Sequence, residues 1–208
     1  MFWHSDKSQY QRDVAIKISN ILGELDKEST EWSDRQKLWL ESCLFILSRH
    51  WHKVDNFRID KYLMLVRFII NQCFEILKKT HYQAKDLSWF SDTLKSFLVD
   101  LDKAEGLKLQ LVDVMVPELG KVDNQINLTA LATLLEPFLH TLANSTSSVL
   151  RERINENIFT PLLESNVTLD SSESEDSEPE DLRQVDGGKL SKSSRKAVKA
   201  LINQKFVF

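Results

Sequence analysis

The sequence predicts an all-α fold, with antiparallel helix pairs stacked as an irregular solenoid of the HEAT or armadillo kind. Three observations carry that prediction. Between Trp51 and Tyr82 the apolar residues fill one broad arc of a helix. Six further segments repeat helical spacing between short polar turns. Only 5 Gly and 4 Pro among 208 residues leave little material for a turn-rich β fold. The helices carry no sequence repeat of fixed period, so an irregular stack is expected, with a closed bundle as the alternative.

The central helix sets the pattern for the rest. At 100° per residue its arc holds Ile59, Tyr62, Leu63, Val66, Ile69, Ile70, Cys73, Phe74, Ile76 and Leu77. Asp60, Lys61, Arg67, Asn71, Gln72 and Glu75 project opposite, with Phe57, Met64 and Phe68 among them. An arc this wide, with aromatics even on the polar side, predicts neighbours on more than one side.

Taken in order, the chain opens on the aromatic Phe2-Trp3-His4, followed by Ser5-Asp6. The first helix starts near Ser8, spaces Val14, Ile18, Ile21, Leu22 and Leu25 helically, and decays after Gly23. Ser33-Asp34 offers the second helix an N-cap, because a side-chain oxygen there accepts from an orphan backbone N–H. That helix carries Leu38, Trp39, Cys43, Leu44, Phe45 and Leu47 and ends near His50 to Lys53. Asp55-Asn56 is positioned to cap the central helix, and Lys78-Lys79 suit its negative end.

The fourth helix is expected from about Asp86 to Leu101, with Leu87, Phe90, Leu94, Phe97, Leu98 and Leu101 inward. The fifth runs from Leu107 to Leu119, kinked or shortened by Pro117 and closed by Gly120 at C′. The sixth covers about Leu128 to Ala143 with a bend at Pro137, and the seventh runs from beyond Thr146 towards Leu163.

Residues 1–164 form the predicted helical domain. Residues 165–190, which include SSESEDSEPEDL, are short of apolar side chains and are expected to be a disordered acidic linker. Ser171, Ser172, Ser174 and Ser177 there have acids close by, the setting of an acid-directed phosphorylation site or simply of a solubilising run. Residues 191–208 form a basic tail able to make a short amphipathic helix around Ala197 to Lys205. Charge follows these divisions: residues 1–163 are near neutral, residues 164–181 hold 8 acids and no base, and residues 182–208 hold 7 bases and 1 acid.

The sequence offers no reactive centre. It has no Gly-rich phosphate loop, no GxSxG elbow and no HExxH pair, so neither cofactor nor small-molecule substrate is expected. His50 and His52 with Asp55 nearby form a polar helix end rather than a metal set, which on a helix favours ligands three or four apart. Cys43 and Cys73 fall amid apolar neighbours and read as buried hydrophobes of a reducing compartment. The longest apolar run in the central helix is broken by Arg67 after 5 residues, so no membrane span is expected. The opening MFWHSDKS holds no apolar signal-peptide core, and the sequons at Asn127, Asn144 and Asn166 read as chance matches.

What remains is a surface. Lys53, Arg58, Lys61 and Arg67, with Phe57, Met64 and Phe68 between them, make a basic and aromatic strip. Its cations suit phosphates, and an exposed aromatic suits a base or a protein pocket. Alternatively the aromatics pack under a neighbouring helix and Asp60 pairs with Lys61 or Arg67.

The central stretch also resembles a known family. Trp51, Val54-Asp55, Arg58-Ile59-Asp60-Lys61-Tyr62, Met64-Leu65-Val66-Arg67 and Phe74-Glu75-Ile76-Leu77-Lys78 are similar to the signature of the eukaryotic ribosomal RNA processing protein 1 family. FWHSDK, GLKLQLVDVMVPELGKV, LLEPFLHTLANS and VLRERINENIFTPLLE resemble its flanking segments in order and spacing, which extends the match over most of 1–164. Departures are the absence of the family's leading helical segment, Glu136 before Pro137, and a short tail in place of long basic extensions. The resemblance implies a non-catalytic assembly factor of the nucleus and nucleolus. Its partner would be the precursor large-ribosomal-subunit particle, met through protein and ribosomal RNA contacts. A helical-repeat adaptor unrelated to ribosomes and an RNA-processing enzyme are the rival readings.

Overall fold

The computed structural model describes residues 2–5, 7–99 and 104–164. The predicted acidic linker with Ser171, Ser172, Ser174 and Ser177, the basic tail, and the inward position expected for Leu101 lie outside the described residues. The elements are α1 (Ser8–Glu24), α2 (Asp34–His50), α3 (Ile59–Lys79), α4 (Ala84–Val99), α5 (Glu105–Val122), α6 (Leu128–Asn144), α7 (Ser148–Ile154) and α8 (Thr160–Glu164). Single 3₁₀ turns lie at Phe2–His4 and Trp51–Lys53, and a π-helical turn at Asn155–Phe159 joins α7 to α8. No strand occurs among the described residues.

Helices two apart in sequence are neighbours in space. α3 packs against α1 on one side and α5 on the other, α5 packs against α7, and α4 packs against α6. The odd-numbered helices thus form one layer and α4 with α6 belong to the other, which is how stacked helix pairs build a solenoid. Position within a layer explains the wide apolar arc of α3: it is covered from both sides. Ile69, Ile70, Phe74 and Leu77 of α3 have essentially no exposed surface, and the Phe74 ring meets Phe90 of α4 edge-on at 6.2 Å. Polar side chains tie neighbouring helices within each layer by donating to backbone carbonyls. Gln110 Nε2 donates to the Leu63 carbonyl at 2.9 Å, Ser91 Oγ to Thr133 at 3.0 Å, and Lys78 Nζ to Val122 at 2.6 Å.

Several boundaries differ from the sequence expectation, some for a local reason and some through distant contacts. Asp55 does not cap α3. Its carboxylate accepts from the backbone N–H of Phe57 and of Arg58, closing a turn one residue before the helix, and no side chain caps Arg58 at the N-cap position. Gly120 does not end α5, which continues through Pro117 and Gly120 to Val122. Burial of Met115, Leu119 and Val122 and the ion pairs of Glu118 hold that last turn, outweighing the hydrogen bond that proline forgoes. The turn after α3 contains no glycine, yet His81 and Tyr82 both sit at a φ of 53°. Tyr82 N–H reaches back to Leu77 O at 2.8 Å, and its hydroxyl donates to Asp123 at 2.9 Å, which anchors the strained turn to the end of α5. Finally, α2 leaves Leu38, Phe45 and Ile46 exposed although its periodicity suggests a buried stripe.

Candidate docking surface at the start of the central helix

The strip expected along α3 is divided by the fold into buried, paired and presented parts. Lys61 is the largest departure from the helical projection. It is only 3% exposed, and its ammonium donates to the carbonyls of Trp3 at 2.7 Å and Ser5 at 3.1 Å, with the Phe2 ring 5.6 Å away. The lysine therefore fastens the N-terminal aromatic segment onto α3 and is not available to a partner. Phe2 and Trp3 then pack around Tyr62, at ring separations of 5.2 Å and 6.3 Å. Burial holds the Tyr62 phenol above its ordinary pKa, while the Arg58 charge pulls it the other way.

Arg58 is also engaged. Its guanidinium pairs with Asp55 and lies over the Trp3 ring at 4.5 Å. Further along, Arg67 meets the buried carboxylate of Glu118 at 3.6 Å; Lys121 and Asn71 reach the same group at 2.7 Å and 3.1 Å. Met64 and Phe68 are partly buried against the core, and Arg12 lies over the Phe68 ring at 5.6 Å. The expected pairing of Asp60 with Lys61 or Arg67 is not what satisfies those cations.

The presented part is Phe57, with Lys53, four residues before it, also exposed. Phe57 is 97% exposed, at the tip of a turn that Asp55 locks through two backbone N–H groups and the Arg58 side chain. A phenyl ring held fully in water forgoes about 2–3 kcal/mol of burial. The rigid turn also removes much of the ordering cost that a partner would otherwise meet. Three of the four cations of the strip are already engaged inside the fold, so this corner is suited to apolar and stacking contact more than to a row of phosphates.

Among the described residues no group of three or more His, Cys, Asp or Glu is arranged to hold a metal ion. No helix there is long and apolar enough to cross a membrane. The signature residue Trp51, 8% exposed, has a packing role that spacing alone did not disclose. Its indole edge lies so close to Gly106 that a Cβ there would sit 2.8 Å from Nε1, so glycine lets α5 begin against the tryptophan. Lys61 and Trp51 both serve the same corner, one pinning the N-terminal segment and the other the start of α5.

Residues 1–204 match the family model described as nucleolar protein, Nop52. The chain belongs to this family. Among curated relatives, a ribosomal RNA processing protein 1 homolog of Dictyostelium discoideum is 31% identical over 182 residues, covering 75% of this chain and 36% of that protein. A ribosomal RNA processing protein 1 homolog of Caenorhabditis elegans is 25% identical over 79% of the chain and 38% of its own length. The human ribosomal RNA processing protein 1 homolog B is 24% identical over 78% of the chain and 21% of its own length. This Nop52-family chain thus spans between about a fifth and two fifths of those relatives. Its matched region includes the whole described helical stack, with the Lys61 clasp and the Phe57 turn.

Proposed function

We propose that the chain is a non-catalytic scaffold of large-ribosomal-subunit assembly, resident in the nucleolus. It docks on precursor particles and supports ribosomal RNA processing by holding partners in place. The observation that carries this reading is the match to the nucleolar family model over residues 1–204, joined by relatives named for ribosomal RNA processing. The contact lies at the corner formed by Phe57, Lys53 and the paired Arg58. The ring presented on the locked turn supplies an anchor for a protein pocket or an unstacked base, and shape rather than net charge directs it.

Gradient sedimentation of the tagged full chain tests both levels of the proposal. The wild-type chain is expected to travel with large-subunit precursors, and Phe57→Ser to weaken that association by about 30-fold, as for loss of a central aromatic anchor. Thermal stability should stay within about 0.5 kcal/mol, because the ring buries nothing in the fold. A wild-type chain that remains at the top of the gradient, or that is excluded from the nucleolus, rejects the assembly role. A Phe57→Ser chain that sediments like wild type rejects the contact site alone.

A further inference from the structure

Beside the Phe57 turn lies a cavity of about 390 Å³, enclosed by the end of α2, the Trp51–Lys53 turn and the start of α3. That is the size of a small-ligand site. Trp3, Trp51, Val54 and Tyr62 supply an apolar and aromatic wall, and Ile46, 56% exposed, stands at its edge. The fold builds this wall in advance: Trp51 is seated against Gly106, and the Lys61 ammonium holds the carbonyl of Trp3 at 2.7 Å. The rings of Trp3 and Tyr62 lie 6.3 Å apart at 54°, with the Arg58 guanidinium over Trp3. A flat ligand in that corner stacks on one ring and meets the other edge-on.

The polar groups decide what kind of ligand fits. No carboxylate lines the cavity, whereas His50 and Lys53 do. That lining disfavours a cation and suits an anion. Among the described residues the Tyr62 hydroxyl, the His50 ring and the Lys53 ammonium make no hydrogen bond, so each has a donor to give. An aliphatic side chain laid over Tyr62 strips water from the hydroxyl and returns nothing. A nucleobase covers the ring with a flat face, carries acceptors on its edge, and brings a phosphate for the lysine. The larger opening between α2 and α4 has Glu41 and Asp92 in its lining and lacks this match. We propose that the cavity takes one unpaired nucleotide of single-stranded RNA, its base in the Trp3–Tyr62 corner and its phosphate against Lys53. This names a ligand for the corner assigned above to docking, and it rests on that assignment.

The probe is fluorescein-labelled dodeca-adenylate, read by anisotropy against the purified full chain at low salt. Wild type should bind with a dissociation constant on the order of 10 μM, and a blunt RNA duplex of the same length at least about tenfold more weakly. Tyr62→Phe keeps the ring and should weaken binding about fivefold through the lost hydroxyl. Lys53→Gln should weaken it too and lower the slope of log affinity against log salt by about 0.7. Ile46→Asp, a carboxylate at the edge, should weaken it about tenfold. Phe45→Ser, in the α2–α4 opening, should leave it unchanged. Circular dichroism checks that the four variants keep the wild-type fold. Absence of binding, equal binding of strand and duplex, or indifference to Tyr62→Phe and Ile46→Asp each overturns the nucleotide site. So does tighter binding of the deoxyadenylate strand, or of a labelled glutamate–leucine peptide that Ile46→Asp displaces, since DNA or a protein segment is then the occupant. A chain that sediments with precursors but fails these tests loses the nucleotide site alone. One that binds the strand yet stays at the top of the gradient loses the assembly role alone.

Discussion

Lys61 shows how a charged residue becomes structural. Its aliphatic stem lies within the fold while the ammonium answers two backbone carbonyls 56 and 58 positions earlier in the chain. A helical projection cannot see that, because it knows the face of α3 but not what the N-terminal segment lays over it. Lys61→Met keeps most of the stem and removes the donors. The expected cost is about 1–3 kcal/mol in urea unfolding, with faster proteolysis ahead of α1, because two carbonyls lose a charged partner. An unchanged midpoint with an intact N-terminus would show that the clasp contributes nothing. Cysteine chemistry was more legible, since both residues fall among apolar neighbours; Cys73 is buried and Cys43 half-buried. Burial pushes the Cys43 thiol up from 9.0 to about 11, and Cys73 rises through burial first and the neighbouring Cys43 second. Only the thiolate alkylates, so at pH 8 Cys43 should react with iodoacetamide about 100-fold more slowly than an ordinary cysteine. Its rate should climb about tenfold per pH unit until near pH 11. Native-state alkylation at the rate of a free thiol would contradict this.

At the level of elements, caps were readable where a side chain serves its own helix, and missed where a distant contact decides. Ser33 is the clear case. Its hydroxyl accepts from Gln36 N–H at 3.2 Å while the Gln36 side chain accepts from Ser33 N–H at 3.0 Å. The Gln36 amide also donates to the Leu22 carbonyl at 3.2 Å, so the cap of α2 is tied to the end of α1. Ser33→Ala is therefore expected to cost about 1 kcal/mol, and Gln36→Ala more, because the latter removes both the reciprocal cap and a buried inter-helix bond. Urea midpoints for the two variants give the comparison, and a larger loss at Ser33 would mean the tie to α1 has little weight. The extension of α5 past Gly120 has no such local signal. It depends on Val122, whose side chain is buried and whose carbonyl takes the Lys78 ammonium across 44 residues. The π turn likewise has no counterpart in the apolar spacing of residues 148–164. It places Asn157 Nδ2 2.6 Å from Asp113, to which Arg153 also reaches at 3.5 Å.

For the whole molecule, the class of fold followed from composition and periodicity, but the order of contacts did not. Helical spacing tells which side of each rod is apolar. It does not tell that α3 is flanked by α1 and α5 rather than wrapped by its sequence neighbours. That order has an energetic consequence, because a stack is held by contacts between adjacent members and opens most easily from its ends. Leu22 in α1 and Phe74 in α3 are both fully buried. Replacing either by alanine should cost a similar amount, about 3–5 kcal/mol. The distribution of the loss should differ. Leu22→Ala weakens the edge of the odd-numbered layer, so hydrogen exchange should accelerate in α1 and the α1–α2 turn while α5 and α6 keep wild-type protection. Phe74→Ala removes a ring that α4 touches through Phe90 from the helix on which α1 and α5 both rest, so exchange should rise across α1, α3, α4 and α5 together. If Leu22→Ala speeds exchange in α6 as much as in α1, the helices unfold as one block, and a stack with separable ends is the wrong account of how this chain stores its stability.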